Sequence, residues 1–578
     1  MLDPYRMVFV NIVAFLILIA SFIVYRFIFK KKINLFFLLI IISILPLLSL
    51  LRAGDWESGD FNIHVHRIMT FYDSLMEGNV MPSWAAELNA TYGIPVFIFN
   101  YSMPYYAVSF LYFLGFSFIS SMKIYLGLSL FFSGIFMYWW VKEVTGNKIS
   151  AFTAGIFYIF NPYHLIDIHF RATLGESTTF YMVPLFFLSI HKYLKSENPI
   201  FLPTIGLVTA ILFLAHPLLA WTILGIGILY VLSFYYRVGR KALIFLSFSI
   251  LAGILASSYS WISFIIYSPY TYGMPSISEI SFSPFYQLFY SPWIFGLLFQ
   301  GPKGELALIL GYTQLLAVIL AGFYLIRGAL PKNIKLYQIF WLSMFSVFLF
   351  LMSPLSKPIW VLFPSFWMLV PTGRLLLPAA FITSMIAGYT AILLLRSRVK
   401  RILLYILLFI TVGSTILNWG HRRVIPEIDD NILRESAWLS IQITPPFMNP
   451  KWVEAPDFWF PKKPDRHLEI IEGKGTFKML KRTTSKHLYI VNAQTPVTVR
   501  ENTLYFPGWS LRSNFQTIPI FPDERGIINA KLPQGLQYVE LTYNDITSYR
   551  MIKLLSASSF IIIVAVLLFF KLRRQRTK

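Results

Sequence analysis

In the stretch Gly59-Asp60-Phe61-Asn62-Ile63-His64-Val65-His66-Arg67, a carboxylate, an imidazole and a guanidinium stand at i, i+4 and i+7. On a helix that spacing projects Asp60, His64 and Arg67 from one face. A carboxylate there can act as general base toward a hydroxyl, and a guanidinium pairs bidentately with phosphate. A second group follows in Asn161-Pro162-Tyr163-His164-Leu165-Ile166-Asp167-Ile168-His169-Phe170-Arg171, with Glu176 beyond it. His164, Asp167 and Arg171 share a helical face at i, i+3 and i+7. Charges at membrane depth are costly unless paired or wetted, and they mark functional sites by default. The plainer alternatives are an interfacial salt bridge for the first set and an i,i+4 pair, Asp167 with Arg171, for the second. Two single residues add to them. His216 precedes Pro217 at the end of an apolar run, as a helix-end polar group or a ligand. Arg374, in Pro371-Thr372-Gly373-Arg374, precedes another run, as a phosphate holder or a snorkelling cation.

The chain that must position these groups was not built for water. Of its 578 residues, 56% are hydrophobic and 13% charged, and its mean hydropathy is +0.63; a soluble domain carries about 25% charged residues. Apolar runs long enough for a bilayer predict about thirteen helical spans, at 7–29, 33–51, 123–141, 151–166, 178–191, 200–215, 218–236, 242–263, 305–326, 336–352, 376–395, 401–418 and 551–571. The apolar segment Pro104 to Ser117 is too short to cross and reads as an interfacial helix. The expected class is a multi-pass α-helical membrane protein.

A net charge of +22 would suit nucleic acid, but its distribution excludes that partner. The basic residues gather in short breaks between apolar runs, such as Lys30 to Lys32, Arg396 to Arg401 and the tail from Lys571. Under the positive-inside rule these breaks are cytoplasmic. Of 13 Asp and Glu before residue 420, all but Glu143 and Glu197 fall in breaks on the other side. That topology places the N-terminus and both charged sets outside and the C-terminus inside, in the plasma membrane.

Three divisions follow. Residues 1–419 form the transmembrane domain, with a first outer loop at 52–103. A second outer segment, from Phe264 to Gly304, holds Trp293. In residues 420–550 the hydrophobic runs shorten and alternate, as in Lys486-His487-Leu488-Tyr489-Ile490-Val491 and Gly535 to Tyr543, with turns at Pro507-Gly508 and Pro533-Gln534-Gly535. This period-2 pattern predicts an outer β-sandwich or jelly roll. Residues 551–578 supply the final span and a basic tail.

Zero cysteines exclude disulfides and thiolate metal sites. There is no Walker P-loop, HExxH or GxSxG in a strand–helix context, so ATP-driven or zinc-dependent chemistry has no support. The acids could hold a divalent cation, Mg or Mn, but no spacing compels one, and no residue is assigned as a metal ligand.

The combination Asp60-xxx-His64-xx-Arg67, Gly78-xxx-Pro82-x-Trp84 and Tyr92-Gly93-x-Pro95 resembles the first outer loop of the 6-pyruvoyl-tetrahydropterin synthase-related membrane proteins. Pro162-Tyr163-xxx-Asp167-xxx-Arg171-xxxx-Glu176 is similar to their second motif. Tyr505-Phe506-Pro507-Gly508-Trp509 and the strands after it resemble the outer domain of the related YfhO-like proteins. The likeness runs from about residue 33 to the end, though one span precedes the usual first helix.

These families resemble the GT-C superfamily of membrane glycosyltransferases. The resemblance implies sugar transfer, hexosyl or pentosyl, from a polyprenyl-phosphate donor to an envelope glycan, lipid or protein acceptor. Its catalytic acid in the first outer loop corresponds to Asp60. Substrate-binding roles then fall to His64, Arg67, His164, Asp167, Arg171, Glu176, His216 and Arg374. Two other classes compete. A flippase for lipid-linked glycans needs polar groups along a path through the membrane, whereas the charges here stay near the outer ends. A non-catalytic assembly factor for envelope polysaccharide would tolerate replacement of Asp60.

Overall fold

The computed structural model describes residues 3–273, 285–290, 308–363, 373–420, 423–435, 444–454 and 462–576, with single residues at 282 and 460. Trp293, Pro371 and Thr372 lie outside the described residues.

Local signals set the helix ends. Ser117 opens the Phe118–Thr145 helix, its side chain accepting from the Ser120 amide at 3.1 Å. That helix closes on Gly146 at φ 65°, the left-handed conformation glycine adopts without a Cβ penalty. Asn147 caps the next helix at once, accepting from the amides of Ile149 and Ser150 at 2.9 and 3.0 Å. His216 is extended, the conformation favoured before proline, so Phe201–Ala215 ends there and Pro217–Phe234 begins.

Each of the thirteen expected spans overlaps helix among the described residues. Among the described residues, seven helices are long and apolar enough to cross a membrane, and an eighth span arises if the pair Arg240–Ala256 and Tyr259–Tyr270, bent by 57°, counts as one. Four more are shorter apolar helices. The remaining one, Leu174–Ser196, carries Glu176 in its first turn and Lys195 in its last. The protein is therefore an integral membrane protein, mostly helical, with seven or eight clear spans where the sequence alone suggests thirteen. Met103–Phe113 is an 11-residue helix, too short to cross.

The Leu376–Leu394 helix is the most enclosed. Phe381 stacks on Trp140 with ring centroids 5.1 Å apart. Gly388 lets the Lys148–Ile159 helix approach closely: its carbonyl accepts from the Ser150 hydroxyl at 2.7 Å, and a Cβ there would lie 3.1 Å from that of Ala154. The basic breaks are neighbours in space. Lys32 and Lys148 line one surface depression, Lys195 pairs with Glu143 at 3.0 Å, and Arg396 reaches the Ala329 carbonyl at 3.1 Å.

A C-terminal β-sheet domain occupies Leu468 to Tyr543. Its strands are β3 (Leu468–Glu472), β4 (Gly475–Arg482), β5 (Lys486–Ala493), β6 (Val497–Leu504), β7 (Trp509–Ser513), β8 (Gln516–Ile518), β9 (Ile520–Pro522), β10 (Ile527–Leu532) and β11 (Gly535–Tyr543). They form two sheets, ordered β3-β6-β10-β9 and β4-β5-β11-β7-β8, with antiparallel pairing throughout. Buried and exposed residues alternate along β5 and β11, matching the sequence pattern. The first residues after 420 reach back to the first loop. Val424–Ile425 (β2) pairs with Asp55–Trp56 (β1), and Arg434 bridges to Asp73.

Between the sheets, buried Glu501 on β6 accepts from His487 at 2.8 Å and from Tyr489 at 2.9 Å, both on β5. Burial alone would raise its carboxyl, but His487, Arg482 and Thr503 outweigh burial and hold it at about 2. A depressed carboxylate contributes stability above its unfolded value near 4.5, lost as pH falls toward 2. Glu501→Gln should remove on the order of 3 kcal/mol and flatten this acid dependence. Amide exchange of β5 peptides at pH 6 and pH 3, corrected for intrinsic rate, reads both effects.

Candidate active site

The first charged set is mounted on the Phe61–Met76 helix. Aspartate at a helix N-cap ordinarily accepts from the first-turn amides. Here Ser58 takes that task, accepting from the Phe61 amide at 3.1 Å, and the Asp60 carboxylate makes no capping bond. The Asp60 backbone is held instead. Its amide donates to the Arg171 carbonyl and that of Gly59 to the Phe170 carbonyl, both at 2.8 Å, while the Trp56 indole donates to the His169 carbonyl at 2.9 Å. Three hydrogen bonds thus lock the first loop onto the turn carrying the second charged set.

That turn is irregular. Asn161 caps Pro162–Ile166, which runs into a wider π-type turn over Asp167–Arg171 and stops at Ala172 with φ 55°. Leu174–Ser196 then restarts with Glu176 in its first turn. The Arg171 guanidinium bonds Asp167 at 2.6 Å, Glu176 at 3.1 Å and the Tyr163 hydroxyl at 2.9 Å. Tyr163 donates onward to Glu176 at 2.5 Å. Arg374, just before the enclosed helix, reaches the other Glu176 oxygen, Oε1, which Arg171 also bonds, at 3.2 Å. The sequence pair of Asp167 with Arg171 is real, but it is one edge of a larger network.

Within this network the two acids differ. Burial and the adjacent Glu176 charge push Asp167 well above the ordinary carboxylate range. Burial would also raise Glu176, yet Arg171 and Arg374 hold it at about 2. Asp60 is raised, by burial first, against the opposing pull of Arg171, Arg67 and Arg374. Three guanidiniums therefore act on Asp60, and two of them, Arg171 and Arg374, hold an ionised Glu176.

His64 is buried between two phenols, its Nδ1 3.1 Å from the Tyr105 hydroxyl and its Nε2 2.9 Å from that of Tyr101. Burial and the Arg67 charge keep its imidazole well below its usual range, hence neutral. The Arg67 side chain is buried, and its Nε has no hydrogen-bond partner among the described residues. His216 caps its helix, accepting from the Leu219 amide at 3.4 Å, and lies within electrostatic reach of Glu176 and Arg374.

Eight of the nine sequence candidates thus converge: Asp60, His64, Arg67, Asp167, Arg171, Glu176, His216 and Arg374. His164 does not join them. It is fully buried, its Nδ1 sits 3.0 Å from the Tyr158 carbonyl and its ring stacks on Phe180 at 3.7 Å. On the irregular turn the i, i+7 spacing no longer aligns it with Arg171. Tyr101, Tyr105 and Tyr163 enter the site without having been candidates. Tyr163 was the most accessible of them, being inside the second motif. No group of three or more His, Asp or Glu suited to a metal occurs among the described residues.

Gly175 is closely packed. A Cβ there would lie 2.5 Å from the Ala215 carbonyl and 2.7 Å from the Tyr101 ring. Backbone cannot yield cheaply, so Gly175→Ala should cost about 1–3 kcal/mol, seen as a lower thermal midpoint in detergent. The glycine and proline motifs have a different use. Gly93, at φ 74°, has no room for a Cβ against the Trp84 indole, and Trp84 packs edge-on against Trp509 at 5.4 Å. These motifs mount the β-sheet domain on the first loop, as does the bond from the Leu504 amide to the Tyr92 carbonyl at 2.9 Å.

Fold and site together define an integral membrane protein whose helical bundle carries a buried acid–arginine centre beside a C-terminal β-sheet domain. No protein-family model matches the chain. An uncharacterized protein of Lactococcus lactis subsp. cremoris (strain MG1363) is 25% identical over 174 residues, which cover 29% of this chain and 28% of the relative. The chain thus matches under a third of that relative's length. Among solved structures, the arabinofuranosyltransferase AftD from Mycobacteria is similar at 12% identity and a TM-score of 0.47, over 68% of this chain and 27% of that one. The Archaeoglobus fulgidus oligosaccharyltransferase is similar at 13% identity and a TM-score of 0.43, over 67% of this chain and 53% of that one.

Proposed function

We propose that this protein is a membrane glycosyltransferase of the GT-C type, transferring a sugar from a polyprenyl-phosphate donor to an acceptor hydroxyl on the non-cytoplasmic side. The observation that carries the reading is the position of Asp60. Its carboxylate is spared from helix capping and stands beside Arg171, Arg67 and Arg374. One carboxylate free to take a proton, next to three guanidiniums able to receive a phosphate, suits displacement of a phosphate leaving group. The sequence resemblance supports the same assignment, and the positive-inside charge pattern supports the side.

In the reaction, the acceptor hydroxyl oxygen forms a bond to the anomeric carbon while the bond from that carbon to the phosphate oxygen breaks. The hydroxyl proton passes to Asp60. The electron pair leaves with the polyprenyl phosphate, whose growing negative charge is met by Arg171, Arg374 and Arg67. Fixed donors of this kind act most strongly where water is excluded, and the site's burial supplies that. The neutral His64, locked by Tyr101 and Tyr105, orients the helix face rather than exchanging protons. Asp167 and Glu176 hold the arginines in place.

The test is transfer of labelled sugar from a panel of polyprenyl-phosphate hexose and pentose donors by the protein in nanodiscs. Transfer by the wild type that disappears in Asp60→Asn supports the reading. Absence of transfer from every donor, with Asp60→Asn complementing a loss-of-function strain as well as wild type does, would favour the assembly-factor alternative.

A further inference from the structure

The Phe61–Met76 helix has a second polar face. His66, Thr70, Asp73 and, just past its end, Glu77 follow one another at steps of three or four, turned away from the face of Asp60, His64 and Arg67. They line a cavity of about 580 Å³ between this helix, Arg434 and the β4–β5 turn. That volume lies within the usual range for ligand sites, about 300–1,000 Å³. None of the groups in the proposed reaction takes part in it.

Its charges are balanced. Asp73, Glu77 and Glu87 line it together with Arg434, Lys463 and Arg482. The two histidines add nothing, since burial lowers His66 and holds His467 at about 4. The groups are also fixed in advance. Arg434 grips Asp73 through two bonds of 3.2 and 3.3 Å, and Arg482 donates to the Thr91 carbonyl at 2.9 Å. Glu77 accepts from the Thr484 amide at 2.9 Å and from its hydroxyl at 2.5 Å.

A polyanion entering this cleft meets three carboxylates, and a polycation meets three cations. A neutral polyhydroxyl compound finds both donors and acceptors there, held in place by their neighbours, with little ordering left to be done on binding. Exposed Met76 and Met479 border the cavity and offer polarisable apolar surface to C–H faces. We propose that this cleft binds a short stretch of uncharged oligosaccharide. Its identity as a distal part of the acceptor glycan rests on the glycosyl-transfer reading; its affinity for neutral sugar does not.

Saturation-transfer NMR on the full-length protein in nanodiscs tests this without any donor. The probes are neutral linear trisaccharides of glucose, mannose and galactose, a trigalacturonate and a glucosamine trisaccharide. At least one neutral probe should bind more tightly than both charged ones. Asp73→Ala and Glu87→Ala, at side chains 31% and 51% exposed and so tolerant of replacement, should each weaken it about tenfold. Binding should persist in Asp60→Asn. The cleft assignment is overturned if no neutral probe binds, if a charged probe binds as well, or if both cleft variants bind like wild type. Loss of binding in Asp60→Asn alone would place the sugar at the reaction centre and also overturn it. The transfer reading fails separately, through unimpaired transfer by Asp60→Asn.

Discussion

Asp60→Asn is expected to lower the turnover of sugar transfer by about 10²- to 10⁴-fold, the usual contribution of a positioned general base, with donor KM little changed. Asparagine matches the carboxylate in shape and keeps both backbone bonds, from the Asp60 amide to the Arg171 carbonyl and from the His64 amide to the Asp60 carbonyl. The substitution therefore isolates the proton-accepting function. Stability should move the other way. Burial raises the Asp60 carboxyl above its ordinary value, so the native state holds this proton more tightly than the unfolded chain. The stability this provides is complete below the unfolded value and is lost as pH rises through the raised one. At neutral pH the ionised side chain is a net cost, and Asp60→Asn should melt at or above the wild-type temperature. Single-turnover assays in nanodiscs and thermal melts in detergent check the two halves. A variant that is both slow and unstable would point to a structural Asp60. In the wild type, kcat should fall as pH is lowered through the raised pKa, and that limb should be missing from any residual activity of Asp60→Asn.

Much of this arrangement was legible in the sequence because membranes penalise polar groups so heavily. Asp60, Arg171, Glu176 and Arg374 stood out as charges in apolar surroundings, and their pairing is what makes such burial tolerable. The strands β5 and β11 were legible for a related reason, since one face of each is buried and the side-chain period is 2. What the sequence could not convey was geometry across distance. His164 was misplaced because a wider turn at Asp167–Arg171 breaks the helical spacing, and nothing local signals such a turn. Tyr101 and Tyr105 were missed because phenols are common in apolar loops and only the fold brings them onto His64. Seven or eight of the thirteen expected spans are long, apolar helices among the described residues, and Lys148–Ile159 is one of four shorter apolar ones. The segment after residue 420 reads as one outer unit, yet Val424–Ile425 pairs with Asp55–Trp56, a partnership fixed only when the chain returns to its first loop.

Replacing Arg171 should have the largest effect on stability, and its neighbours should respond unequally. Arg171→Met removes the cation from between Asp167, Glu176 and Tyr163 and leaves a buried carboxylate short of partners, a change that costs about 3–5 kcal/mol. Glu176 carries the ionised charge of the acid pair, being bonded by both Arg171 and Arg374 and held at about 2. Asp167 is bonded by Arg171 through one oxygen, its other oxygen has no hydrogen-bond partner among the described residues, and its carboxyl is pushed well up. Burial and the Glu176 charge disfavour its ionised form, so Asp167→Asn should disturb the network less than Glu176→Gln. The expected order of destabilisation is Arg171→Met, then Glu176→Gln, then Asp167→Asn, the last close to wild type. Combining Arg171→Met with Glu176→Gln should recover part of the loss, because the orphaned charge disappears with its partner. Chemical denaturation in detergent at pH 7 ranks the four proteins. An Asp167→Asn variant as unstable as Glu176→Gln would show that the negative charge resides on Asp167, and Arg171 would then be anchored from the opposite side.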